Sequence, residues 1–153
     1  MSENARKKRE PADKHAESLL VDTQGPRREC GLTRERAEDR KHGLPRVGHL
    51  QAAYASVRFI SVKPLLEDIG ELDLGGIYWV IVGGESPNRA RSFDVAWARS
   101  VLRQCREQRV ACFVKQLRSR PVSVQTRMKL RSYQGGNWDE WPPDLRVHQY
   151  PSV

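Results

Sequence analysis

The sequence predicts an α/β fold built on a small parallel sheet. Two observations support this prediction: three short apolar runs typical of buried strands, and one amphipathic helix between the last two runs. The runs occupy residues 57–62, 77–82 and 110–115, and the helix occupies residues 94–108. Because a strand, a helix and a second strand in this order form a right-handed crossover, we expect the last two strands to be parallel.

Residues 1–36 carry mixed charges without an apolar stripe, which predicts a weakly ordered N-terminal segment. The folded domain is then expected to cover residues 37–153. Gly43, Pro45 and Gly48 are helix breakers, so only a short helical turn is predicted, near residues 49–53.

The first predicted strand, residues 57–62, is rich in β-branched and aromatic side chains. Lys63-Pro64 ends it, because proline cannot donate to a strand ladder. The long connection that follows is rich in leucine, and these leucines are expected to cover the end of the sheet. Residues 77–82, IYWVIV, are apolar throughout, as in a strand covered on both faces.

The crossover helix is predicted to begin after an Asp94 cap. Four residues at helical spacing form its apolar stripe: Ala98, Val101, Leu102 and Cys105. After residue 117 the sequence predicts a long irregular tail with one turn at residues 135–136. The tail's large aromatic residues are expected to pack on the main sheet: Trp138, Trp141 and Tyr150.

The composition excludes several classes of protein. A chain of 153 residues suits one ordinary domain, and no apolar run approaches the roughly 20 residues of a membrane span. The first 20 residues lack the apolar region of a secretory signal, so the cytoplasm is the expected compartment. The formal net charge of +8 raises the question of a nucleic-acid partner.

Cysteine and histidine spacing argues against a metal centre. The three cysteines, Cys30, Cys105 and Cys112, form no CxxC pair, so neither zinc nor an iron–sulfur cluster is expected from this chain alone. Cys105 and Cys112 lie in apolar patterns and are interpreted as small core residues. No two histidines have metal-ligand spacing, so no metal is predicted, and without a cysteine cluster no cofactor is expected in this chain.

Polar residues follow each predicted strand, and parallel strands gather ligands at their carboxyl ends. We call these carboxyl ends the rim. Its candidate ligand-binding residues are Lys63, Gly83, Gly84, Glu85, Ser86, Lys115 and Gln116. Glu85 could bind an amine or hydroxyl, or pair with Lys115 in acid–base chemistry; alternatively the Gly-Gly-Glu turn is only a tight corner. No nucleotide-binding glycine motif is present.

A second candidate is a basic stretch without acidic residues. It contains Arg118, Arg120, Arg127, Lys129 and Arg131. Its positions are typical of a solvated loop, and they also suit contacts with phosphates of a nucleic acid.

Four motifs in the same order resemble a known family: EDRKHGLPRVGHL, VRFISVKPLLEDIGELDLGGIYWVIVGGES, ACFVKQL and GGNWDEWPPDLRVHQYP. They resemble the C-terminal half of an uncharacterised phage- and bacteria-associated family, which is similar to radical S-adenosylmethionine enzymes. The resemblance covers about residues 38–150. It implies a partial parallel barrel of the TIM type and, in full-length relatives, a [4Fe–4S] cluster with S-adenosylmethionine.

Two departures from the family pattern shape the expected function. The N-terminal cysteine cluster is missing, and Lys63 stands where the family usually has an acidic residue. The chain is therefore expected to be a truncated or degenerate member, inactive alone, or paired with a chain that supplies the missing barrel strands. The alternatives are a small basic nucleic-acid-binding phage protein and a cluster-independent enzyme that uses Glu85 and Lys115.

Overall fold

A computed structural model describes residues 32–85, 91–117, 121–124, 126–131 and 135–152. The strands are β1 (Leu32–Arg36), β2 (Val57–Val62), β3 (Trp79–Gly83), β4 (Phe93–Asp94), β5 (Ala111–Gln116), β6 (Pro121–Ser123) and β7 (Thr126–Arg127). The helices are α1 (Arg40–Gln51) and α2 (Val95–Glu107), and two 3-10 turns span Trp138–Glu140 and Pro143–Leu145.

The main sheet has four parallel strands in the order β1-β2-β3-β5. Three of them, with the crossover helix α2, confirm the predicted α/β fold. β1 and β5 are the two edges, so the sheet formed by the described residues is open and not closed into a barrel. A second, smaller sheet has the order β4-β6-β7.

The prediction of an irregular chain up to residue 36 is wrong at its end. Residues 32–36 form β1, which pairs in parallel with β2 from Leu32↔Val57 to Arg36↔Ser61. The sequence LTRER carries little apolar signal because β1 is an edge strand, where charged side chains reach solvent. The rest of the predicted N-terminal segment, residues 1–31, lies outside the described residues.

The prediction that Gly43, Pro45 and Gly48 interrupt the next segment is also wrong, because α1 runs through all three. Asp39 caps the helix, its carboxylate accepting from the His42 N–H at 2.7 Å. A Cβ at Gly43 would lie 2.7 Å from the Ala37 Cα, so this glycine allows the helix to approach the end of β1. Tertiary packing thus outweighs the weak intrinsic helix propensity.

The two faces of the main sheet are covered differently. The apolar stripe of α2 packs with the sheet residues Ile60, Val80 and Val114 in the main core, and leucines of the β2–β3 connection join that core. The opposite face carries a separate cluster of Phe59, Trp79 and Phe113. We call the first the helix face and the second the aromatic face.

The C-terminal tail is more regular than predicted. Val114 N–H donates to Val147 O at 2.8 Å and Gln149 N–H to Cys112 O at 2.9 Å, so the tail lines the outer edge of β5. Tyr150 packs on Trp79 and Phe113, while Trp141 is buried in the main core with Trp138 against it. These contacts confirm that the tail aromatics pack on the main sheet.

Within the described ranges, neither helix has the length and apolar character needed to cross a membrane.

Candidate functional site

The rim is built around Gly83, the last residue of β3. Gly83 pairs with Gln116 across a register shift, and Gly84 N–H donates to Gln116 O at 3.1 Å. A Cβ at Gly83 would lie 3.2 Å from that same oxygen and 3.5 Å from Lys63 Cγ. The glycine therefore lets β3 lie close to the Gln116 carbonyl, while the Lys63 stem is at ordinary contact distance.

Glu85 is held by an arginine that the sequence analysis did not single out. Arg91 Nη2 donates to Glu85 Oε1 at 2.7 Å, and Arg91 Nε and its backbone N–H donate to Oε2 at 3.1 and 3.0 Å. These hydrogen bonds lower the pKa of Glu85 to about 2. The carboxylate is thus ionised at neutral pH and joins residue 85 to residue 91.

Gln116 is the buried polar residue of the rim, with 4% of its surface exposed. Val114 pairs with Val82 and Gln116 pairs with Gly83, so Lys115 has no partner on β3 and strand alternation is interrupted just before Gln116. Its Nε2 is buried without a hydrogen-bond partner within the part of the chain that the structure describes. Because such a donor costs free energy when unpaired, an oxygen acceptor from outside the described residues would stabilise the rim at this atom.

Lys63 and Lys115 are the two lysines of the rim, and both lie toward the aromatic face. Alternation along β5 puts Lys115 with Phe113, and the Gly83 contact puts Lys63 over β3, so both extend the aromatic face toward the rim. Both are partly buried, and each has an interaction within the protein. The predicted rim thus brings Gly83 together with Lys63 and with Gln116, and Lys115 lies at the irregularity of β5 between them. Ser86 lies outside the described residues.

The basic stretch is only partly described. Arg127, Lys129 and Arg131 are exposed, and Arg127 ends the β6–β7 hairpin. The Arg131 N–H donates to the Glu140 carboxylate, which ties this segment to the tail. Arg118 and Arg120 lie outside the described residues.

His148 is an ordered tail residue whose structural role the sequence did not reveal. Its ring stacks on Phe113 with centroids 4.0 Å apart and planes at 6°. Its Nε2 lies 3.0 Å from Val114 O and 3.2 Å from Trp138 Nε1, and one ring nitrogen satisfies only one of these partners at a time. The only hint in the sequence was the row of aromatic residues around it.

Two of the three cysteines are confirmed as core residues. Cys105 on α2 and Cys112 on β5 are each 1% exposed in the main core. A hydrogen bond with Cys105, together with burial, raises the pKa of the Cys112 thiol. Within the described residues, no three His, Cys, Asp or Glu side chains form a group that could hold a metal ion.

Comparison with known proteins identifies one family. The model of the family described as "Protein of unknown function (DUF5131)" matches residues 15–142. No curated protein and no solved structure matches the chain. Because the match covers most of the sequence and includes β1, both helices and the rim, the chain belongs to the DUF5131 family.

Proposed function

We propose that this chain is a degenerate member of a phage-associated family similar to radical S-adenosylmethionine enzymes, and that it has no catalytic activity on its own. In this proposal the chain keeps the scaffold of a ligand-binding rim and works in the cytoplasm. The observation that carries it is the burial of Cys105 and Cys112 in the main core.

A [4Fe–4S] cluster needs thiolate ligands that can converge on one site. Cys105 and Cys112 are packed between α2 and the sheet, and the raised pKa of Cys112 keeps its thiol protonated. Cys30 is then the one remaining cysteine of the chain. One thiol is too few for the cluster, which supports a protein that does not cleave S-adenosylmethionine by itself.

The open sheet fits a place within a larger parallel barrel. Helices cover one face, while the other carries Phe59, Trp79 and Phe113 and then Lys63 and Lys115, as the inner face of a barrel does. All-parallel sheets are normally covered on both faces. We therefore include a partner chain in the proposal, which adds strands beside β1 and completes the rim.

The geometry favours binding at the rim over acid–base chemistry there. Glu85 is a poor general base because its pKa is about 2 and Arg91 occupies both of its oxygens. The pairing of Glu85 with Lys115 is therefore less favoured than a ligand held through Gln116.

Anaerobic reconstitution with iron and sulfide tests the proposal. We expect the wild-type chain to gain no stoichiometric [4Fe–4S] absorbance, and to release no 5′-deoxyadenosine from S-adenosylmethionine under reducing conditions. The control is Cys30→Ser, which removes adventitious iron bound through that thiol. Stoichiometric [4Fe–4S] absorbance in the wild-type chain would contradict the proposal, whether or not Cys30→Ser retains it, whereas substoichiometric iron lost in Cys30→Ser is adventitious.

The exposure of Arg127, Lys129 and Arg131 supports a second candidate, a basic protein that binds nucleic acid. Binding of single- or double-stranded DNA or RNA should then weaken steeply with salt. The triple substitution of these residues by glutamine should reduce both the affinity and the salt dependence. No binding to any of these polymers at low salt would remove this candidate.

A further inference from the structure

A cavity lies at the end of the sheet opposite to the rim, where β3 and β5 begin. Its volume is about 490 Å³, within the usual range for small-molecule sites. Buried Ile77 and Val110 contribute apolar surface to its lining, and Tyr78, Arg109 and Tyr150 also line it. None of these residues belongs to the rim, so the cavity is a separate candidate site.

Arg109 occupies a position where glycine is usual. It follows the end of α2 with a φ of +59°, and two hydrogen bonds close the helix around it: Val110 N–H to Cys105 O at 2.8 Å and Arg109 N–H to Arg106 O at 3.3 Å. This pattern is a Schellman motif, whose left-handed residue is most often glycine because it has no Cβ. An arginine here lowers stability, so we expect its side chain to contribute to something other than stability.

The Arg109 guanidinium forms no hydrogen bond or ion pair with any described residue, and it is the only charged side chain in the described lining. Two of the large exposed apolar side chains also line the cavity: Tyr78 is 42% exposed and Tyr150 is 44% exposed. The Tyr150 ring is held by Trp79 and Phe113, with centroids at 5.8 and 5.6 Å. The cavity therefore offers one aromatic ring held in place, that of Tyr150, together with Tyr78 and one cation.

We propose that this cavity binds a flat aromatic ring that carries an anionic group, which is the chemistry of a nucleoside monophosphate. The ring packs against Tyr78 and Tyr150, because offset aromatic stacking favours a planar partner. The anionic group pairs with the Arg109 guanidinium, whose planar fork suits phosphate oxygens. The site is independent of the function proposed for the rim.

Isothermal titration calorimetry of the full chain with adenosine 5′-monophosphate tests this inference. We expect saturable binding of one nucleotide per chain with a Kd below about 1 mM, and binding of adenosine about tenfold weaker, as the loss of one charge-assisted interaction implies. Arg109→Gln should weaken binding of the nucleotide about tenfold and leave binding of adenosine unchanged. The matched control is Arg106→Gln, because Arg106 is an exposed arginine in the last turn of α2 that does not line the cavity.

A second variant separates binding from folding. Arg109→Gly relieves the left-handed backbone, so the melting temperature should rise by about 2 °C while nucleotide binding weakens about tenfold. Tyr78→Ala should weaken binding of nucleotide and adenosine alike. Absence of nucleotide binding to the wild-type chain, or equal binding by the wild type and Arg109→Gln, would overturn the inference.

Discussion

The ion pair with Arg91 determines whether Glu85 can act as a base at the rim. Sequence analysis identified Glu85 from its position after an apolar strand, and its location at the strand end is confirmed. It did not identify Arg91, because nothing in a loop sequence specifies which of its cations returns to the carboxylate. Because Arg91 binds both of its oxygens, Glu85 is better described as half of an ion pair than as a candidate base.

Glu85→Gln tests this role through the pH dependence of stability. The folded-state pKa is lowered to about 2, so the stabilisation is fully present above the ordinary pKa of 4.5 and is lost as the pH falls toward 2. Because the Arg91 side chain is 62% exposed, screening limits the effect to about 1 kcal/mol. Urea denaturation should show Glu85→Gln less stable than the wild type by that amount at pH 7, and nearly equal to it close to pH 2.

The control for this prediction is Glu107→Gln. Glu107 and Arg103 form an ion pair of 2.8 Å on α2, but both side chains are more than half exposed. Its removal should change the free energy of unfolding by less than about 0.5 kcal/mol. A difference between Glu85→Gln and the wild type that stays the same down to pH 2 would show that the ion pair is not its source.

At the scale of elements, the sequence predicted those parts whose own pattern determines their structure. Apolar runs located β2, β3 and β5 to within two residues at each end, and the stripe and Asp94 cap located α2. The prediction failed for α1, whose glycine at position 43 is explained only by its contact with Ala37. It also failed for β1, whose charged residues show no period because the strand lies at an edge.

Two glutamines at the end of α2 bind the backbone of the connection between β2 and β3, a segment that is not itself helical. Gln104 Oε1 accepts from Leu72 N–H at 2.7 Å, and its Nε2 donates to Gly70 O at 2.9 Å. Gln108 repeats the pattern one turn later with Leu74 N–H and Leu72 O, at 2.9 and 2.8 Å. The two glutamines thus satisfy backbone groups that a helix would pair internally.

The two glutamines make similar hydrogen bonds but differ in burial, which allows a matched test. Gln104→Leu should lower the free energy of unfolding by about 2–4 kcal/mol, because a buried N–H and a partly buried C=O lose their partners. Gln108→Leu should cost about 1 kcal/mol or less, since Gln108 is exposed and water can replace its amide. Urea denaturation of both variants measures the difference. Equal losses would mean that burial does not control these bonds.

At the scale of the whole molecule, the tail completes the fold on two sides. It pairs with the outer edge of β5 through Val147 and Gln149, and His148 and Tyr150 cover part of the aromatic face. Gln149 Oε1 also accepts from Cys112 N–H at 3.1 Å, and Trp79 Nε1 donates to Gln149 O at 2.8 Å. The aromatic residues of the tail predicted this docking, but the edge pairing depends on backbone groups and has no sequence signature.

Removal of residues 147–153 should therefore destabilise the protein. It exposes Phe113 and Trp79 and leaves the β5 edge unpaired, which we expect to cost about 3 kcal/mol and lower the melting temperature by about 10 °C. An unpaired apolar edge strand also invites pairing with another chain. Light scattering after size exclusion should then show association of the shortened protein at concentrations where the full chain does not associate.

The matched control for this truncation removes only residues 152–153, which leaves every described contact of Val147, Gln149 and Tyr150 in place. Its melting temperature and molecular mass should equal those of the full chain. If the longer truncation also unfolds at the temperature of the full chain without associating, the tail is a surface appendage, and the aromatic face is stable without its cover. A lower melting temperature in the longer truncation alone would instead show that the tail stabilises the main sheet.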